Sequence, residues 1–82
     1  MSYTMIEFWT VEDTGWSNGQ SWFHCGGTET NPLRFDFYKA AYDYALDKKA
    51  QFGQTDRKWR VVHTTIDRTD YSEVITREWR FI

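Results

Sequence analysis

Two pairs of ring-rich, alternating segments flank one alanine-rich segment, and this arrangement predicts an α+β fold. The chain reads as one domain over 1–82 with element order ββαββ: an antiparallel sheet with one helix packed on one face. Two observations carry that reading. The strand-like segments are apolar at both odd and even positions, and a single amphipathic helix is available to cover them. Five Trp, five Tyr and six Phe make up 20% of the 82 residues, so the uncovered face would be rich in rings. Apolar burial is worth about 25 cal/mol per Å², so such a face favours acquiring a partner.

The first strand is predicted over Tyr3 to Glu12. Tyr3, Met5, Trp9 and Val11 lie on one side, interrupted by Glu7; Ile6, Phe8 and Thr10 lie on the other. Asn18-Gly19 is a two-residue hairpin signal, because both residues tolerate the positive φ of a type I′ turn. The returning strand spans Ser21 to Cys25. In a regular hairpin Trp22 shares the face of Trp9 and Phe23 that of Phe8, whereas a bulge at Gly15 exchanges them. Gly26-Gly27 ends this strand, and Thr28 to Pro32 forms a loop.

The helix is predicted over Asp36 to Phe52. Asp36 caps its start, Ala40, Ala41 and Ala45 favour helix, and Gly53 stands where a C-terminal glycine belongs. Phe37, Ala41, Ala45 and Phe52 project to one face, with Tyr38 and Tyr42 beside them. Asp36, Asp43 and Asp47 lie opposite, with Lys39 four residues before Asp43. The third strand runs from Trp59 to Asp67. Polar residues 68–71 make a short connection, and Glu73 to Ile82 forms the fourth strand.

The net charge of −2 gives the chain as a whole no attraction for nucleic acid. Its charges are uneven: Arg34 stands alone among acids in the first 35 residues, and Arg57, Arg60, Arg68, Arg77 and Arg80 follow the helix. One cysteine, Cys25, precludes an intramolecular disulfide and fits a reducing cytoplasm. The opening residues lack the basic start and apolar run of a signal peptide, and no run approaches the roughly 20 apolar residues of a membrane span. A cytoplasmic protein with no membrane association is expected.

Arg77, Trp79 and Phe81 alternate on the fourth strand, and Arg60 adjoins Trp59 on the third. Arginine stacked on Trp is a common pairing, and both residues are enriched at binding hot spots. The competing reading makes the rings core and the arginine stems their cover. Trp9, Trp22, Arg77 and Trp79 are the candidate partner-binding residues, on the sheet face that the helix leaves free. His24 and Cys25 are adjacent and point to opposite faces of a strand. No CxxC or HxxxH spacing supplies metal ligands, and Gly26-Gly27 has no phosphate-loop context. A Cys25–His63 dyad oriented by Asp67 is compatible with the spacing. No catalytic residue, cofactor or metal is assigned.

The segment Phe35-Asp36-Phe37-Tyr38-Lys39-Ala40-Ala41, followed by Ala45, resembles the helix start of small ββαββ accessory proteins of bacteriophages. The Trp-Arg-Val-Val and Arg-Glu-Trp-Arg-Phe strands are similar in style. The resemblance implies a host-takeover or anti-defence inhibitor that binds a bacterial host protein in the host cytoplasm. The resulting expectation is a non-enzymatic protein-binding module, also able to form a homodimer. A single-stranded nucleic-acid binder using the same rings is the alternative.

Overall fold

A computed structural model describes residues 2–15, 20–52 and 56–82. The elements are β1 (Tyr3–Asp13), β2 (Phe23–His24), α1 (Tyr38–Phe52), β3 (Trp59–Thr69) and β4 (Glu73–Phe81). They form a four-stranded sheet in the order β2-β1-β3-β4, antiparallel throughout, so the α+β architecture and the ββαββ order both hold. The alternating pattern located β1, β3 and β4 to within two residues at each end. β2 is only two residues long, shorter than the span Ser21 to Cys25. The Asn18-Gly19 turn and Gly53 lie outside the described residues.

β1 and β3 run side by side over their whole lengths, from Tyr3 opposite Thr69 to Asp13 opposite Trp59. Thr14 extends the pairing: its N–H donates to the Lys58 carbonyl (3.1 Å), and its hydroxyl accepts from the Lys58 N–H (2.9 Å). β4 pairs with β3 from Glu73 opposite Arg68 to Phe81 opposite Arg60. β1's other edge meets β2 at Glu12 and Asp13, and then Phe35, which exchanges both backbone hydrogen bonds with Trp9 at 2.8 Å.

The helix packs on the face that carries the odd positions of β1. Ala41 and Ala45 are fully buried against Val11, Trp59 and Val61, and their small side chains allow the close approach. Phe37 does not join them. It is 70% exposed, and its carbonyl accepts the first helical hydrogen bond from the Ala41 N–H (3.3 Å). Phe37 therefore occupies the flanking cap position with non-helical direction, and Asp36 lies one residue further out. Phe52 is half exposed and leans on Trp59, with ring centroids 5.8 Å apart. Arg57 covers the outer face of Phe52 at 4.2 Å and pairs with Asp13 at 3.6 Å, which closes this end of the core.

Fifteen helical residues reach about 22 Å, whereas eleven strand residues reach about 36 Å. The helix therefore covers only the end of the sheet that holds Val11, Trp59 and Val61. The remainder, including Tyr3, Met5, Val74 and Ile75, is exposed on both faces. The molecule is accordingly long, 51 × 25 × 20 Å, with a radius of gyration of 14.3 Å. A compact chain of this length would have about 12 Å.

Two glycines separate conformational strain from lack of space. Gly15 and Gly27 both have positive φ, 52° and 72°. A Cβ on Gly15 would make ordinary contact with the Phe23 ring at 3.5 Å, but one on Gly27 would lie 2.5 Å from the Asn31 carbonyl oxygen. Gly15→Ala should cost about 1–2 kcal/mol in urea denaturation, the left-handed penalty alone. Gly27→Ala should cost more, because the loop backbone must move; equal losses would show that the 26–33 loop gives way freely.

Candidate binding face

The constant registers across β1, β3 and β4 let the helix-free face be read in rows. The first row is Glu12, Arg60 and Phe81, with His24 joining at the β2 end. Next come Thr10, Val62 and Trp79, then Phe8, Thr64 and Arg77, and then Ile6, Ile66 and Ile75. Trp22 precedes β2 and shares this face.

The half of this face behind the helix is covered by its own side chains. Glu12 is 4% exposed and accepts from Arg60 at 2.6 and 2.8 Å and from Arg77 at 2.8 Å. Arg60 lies between two indoles, 4.1 Å from the centroid of Trp22 and 4.6 Å from that of Trp79. Trp22 in turn meets Phe81, with centroids 5.9 Å apart. Arg77 extends diagonally across the face to reach Glu12, and Thr10, Val62 and Thr64 are buried beneath this layer. The arginine stems and rings thus shield the second face, while the buried carboxylate neutralises the guanidinium closed in with it. Trp79 and Phe81 remain substantially exposed.

Beside this layer lies a depression of about 430 Å³, floored by Phe8, Thr10 and Thr64. Arg77 and Arg34 stand over it, and the loop residues Glu29, Thr30 and Pro32 form its rim. That loop is held by the Gly27–Pro32 bridge and by the Leu33 N–H donating to the Gly26 carbonyl (3.2 Å). The Arg34 guanidinium sits 4.2 Å above the Phe8 ring and has no carboxylate partner among the described residues.

The structure brings together Trp22, Arg77 and Trp79, three of the four residues expected to share the free face. Trp9 is on the opposite, helix-covered face. Two registers cause this: Trp9 pairs with His63 and His63 with Glu78, which puts Trp9 on the face away from Arg77 and Trp79, and Glu12 pairs with His24, whereas a two-residue turn at Asn18-Gly19 would have paired Glu12 with Cys25. With that one-residue shift, and Gly15 at positive φ as a bulge requires, Trp22 lies on the face of Phe8. Trp9 stacks on His63, with centroids 4.5 Å apart and planes 9° apart, and His63 Nε2 lies 3.2 Å from Glu7. Both line a cleft of about 550 Å³ with Tyr38, Glu78 and Arg80 at the N-terminal end of the helix.

Cys25, His63 and Asp67 do not form a triad. Cys25 packs with Tyr44 against the helix-side core, His63 is engaged by Trp9 and Glu7, and Asp67 accepts from the Tyr3 hydroxyl at 2.6 Å. Burial pushes the Cys25 thiol up from its ordinary range, and the Asp13 carboxylate adds to this. No group of three or more His, Cys, Asp or Glu side chains able to hold a metal occurs among the described residues. No helix among them is long and apolar enough to cross a membrane. Comparison with protein-family models, curated proteins and solved structures finds no match.

Glu12 and Arg34 were missed in the sequence reading. Glu12 carries no local signal of its role, since only the register of β1 against β3 sets it opposite Arg60.

Glu12→Gln should destabilise the fold by about 3–5 kcal/mol, because Arg60 is left charged in a closed site. Arg77→Ala, on the half-exposed arm, should cost about 1 kcal/mol. Urea denaturation of both variants separates the arms, and equal losses would place the weight of the network on Arg77. Cys25 should react with a disulfide reagent more slowly than a free thiol at neutral pH. A raised pKa means less thiolate at any given pH, so the lag should close only as the pH rises past the ordinary thiol range. A rate matching free thiol at pH 7 would contradict this.

Proposed function

We propose that this protein is a non-enzymatic protein-binding module that captures its partner on the helix-free sheet face. Trp22, Arg77 and Trp79 form the centre of the contact surface, joined by Phe8, Arg34 and Phe81. Arg34 carries this reading. Its guanidinium is held on an aromatic ring, without a neutralising carboxylate among the described residues, over a depression whose other cation is half exposed. Such a site favours a partner segment that presents a carboxylate beside apolar groups. The carboxylate would meet Arg34 and Arg77, and the apolar part would cover the exposed surfaces of Trp79 and Phe81. The resemblance of the sequence to phage accessory proteins makes a bacterial host protein the expected class of partner, reached in the host cytoplasm.

Single-stranded nucleic acid is less well supported. Arg60 fills the space between Trp22 and Trp79, so a base can stack only on their outer surfaces.

Arg77 and Trp79 also hold the cover layer together, so Arg34→Glu and Phe81→Ala are the cleaner probes. Immobilised protein should retain a specific protein from bacterial lysate, and both variants should lose it, Phe81→Ala by about 30-fold or more in affinity. Lys39→Glu, on the polar side of the helix, should not. Retention unaffected by both face variants would refute the assignment. Binding of an oligothymidine that falls steeply with salt would instead establish the nucleic-acid reading.

A further inference from the structure

The cleft at the N-terminal end of the helix lies on the sheet face opposite the proposed contact surface, and the registers give it an internal order. Trp9, His63 and Glu78 stand opposite one another on β1, β3 and β4, and Val11, Val61 and Arg80 form the next row. The Trp9 and His63 rings are nearly parallel, at 9°, with centroids 4.5 Å apart. That separation is close to the strand spacing of about 4.8 Å, so the stack runs across the strands and each ring plane lies along them. Trp9 covers one face of His63, yet the His63 side chain is still 31% exposed. Its other face looks towards β4, where Glu78 stands in the row in place of a third ring.

Glu78 and Arg80 border that space. Both are exposed, and neither has an ion-pair partner among the described residues; the Arg80 guanidinium lies over the Tyr38 ring at 5.3 Å. Two residues apart on one face, they stand about 7 Å apart along β4. A ring stacked on the free face of His63 would lie in a plane that runs along β4. The acid and the base would then both meet its rim rather than its face.

We infer that this cleft binds a guanine base, free or as its nucleoside. Guanine carries two N–H donors, at N1 and N2, directly beside two acceptors, O6 and N7. The Glu78 carboxylate accepts from the first pair, and the Arg80 guanidinium donates to the second, as arginine commonly does at guanine. The base completes the row as a third ring, stacked on His63. Val61 and Tyr38 supply apolar wall, and the volume of about 550 Å³ falls within the roughly 300–1,000 Å³ of small-molecule sites. Adenine reverses the pattern, with an acceptor at N1 facing Glu78 and an amino group at C6 facing Arg80. Charge favours the nucleoside over a nucleotide or an oligonucleotide. Arg80 is engaged by the base, and Glu7, 3.2 Å from His63 Nε2, places a second acid nearby, so no cation of the cleft remains for a phosphate. The inference does not rest on the proposed partner binding, whose site is on the other face.

Titration calorimetry with guanosine tests it. Guanosine should bind, inosine, which lacks the N2 amino group, about tenfold more weakly, and adenosine more weakly still. Glu78→Ala and Arg80→Ala should keep the native circular dichroism, since both side chains are exposed, and should each lower guanosine affinity about tenfold or more. In NMR spectra, the His63 ring protons should move upfield as guanosine saturates the protein, the mark of a base stacked on that imidazole. No heat and no shift at His63 with guanosine at its solubility limit would overturn the site. Adenosine binding as tightly as guanosine would overturn the assignment to guanine. Tighter binding of guanosine monophosphate or of a short oligoguanylate would overturn the preference for the nucleoside. Each result is read separately from partner capture by the Arg34 and Phe81 variants.

Discussion

The carboxylate of Glu12 is the constraint around which the second face of this sheet is arranged. A four-stranded sheet with one helix has one face without a covering layer, and here that face includes Val62, Thr10 and Thr64 at its centre. Aliphatic cover would require another element. The chain uses two arginines and two indoles instead, laid flat and held by one buried acid. The cover works because a guanidinium is flat and weakly hydrated: it stacks between rings and still offers its edge to a carboxylate. Without the acid, the same arginine would carry an unneutralised charge into a closed site, and the indoles would lose the body between them.

The single helix sets the other main property. Because α1 spans only about 22 Å, it can cover the end of the sheet at Val11, Val61 and Trp59 but not the end at Met5, Asp67 and Val74. The strands nevertheless continue, paired residue by residue, into a stem exposed on both sides. Backbone hydrogen bonding and cross-strand pairs such as Ile6–Ile66–Ile75 hold that stem, and burial contributes little to it. A three-stranded ribbon with so little cover is stabilised by any additional strand, which is why its uncapped edge matters more than it would in a fully layered domain.

The fold was legible wherever side chains alternate over many residues. β1, β3, β4 and the helix follow directly from spacing, and the buried pair Ala41 and Ala45 from the helical projection. What failed depended on register: Trp9 pairs with His63, and His63 with Glu78, which puts Trp9 on the face away from Arg77 and Trp79. Whether Trp22 lies with Trp9 or with Phe8 is decided by how many residues lie between β1 and β2, and Asn18-Gly19 alone suggested the shorter count. Phe37 failed for a similar reason: it stands at the flanking position, where the chain has not yet turned into the helix, so the projection does not apply to it. The acid in the cover layer was hidden because long-range pairing, not local sequence, brings Glu12 beside Arg60 and within reach of Arg77.

A cover of arginines and rings also differs from a helix in what it allows next. A helix closes a face, whereas this layer leaves the outer surfaces of Trp79 and Phe81 and one side of Arg77 in solvent. A partner can therefore add to the stack without displacing it. The energetic cost of binding is then lowered, because Arg60 and Glu12 have already fixed the ring positions and little side-chain freedom remains to be lost. The same layer that stabilises the monomer thus preorganises the surface that a partner meets.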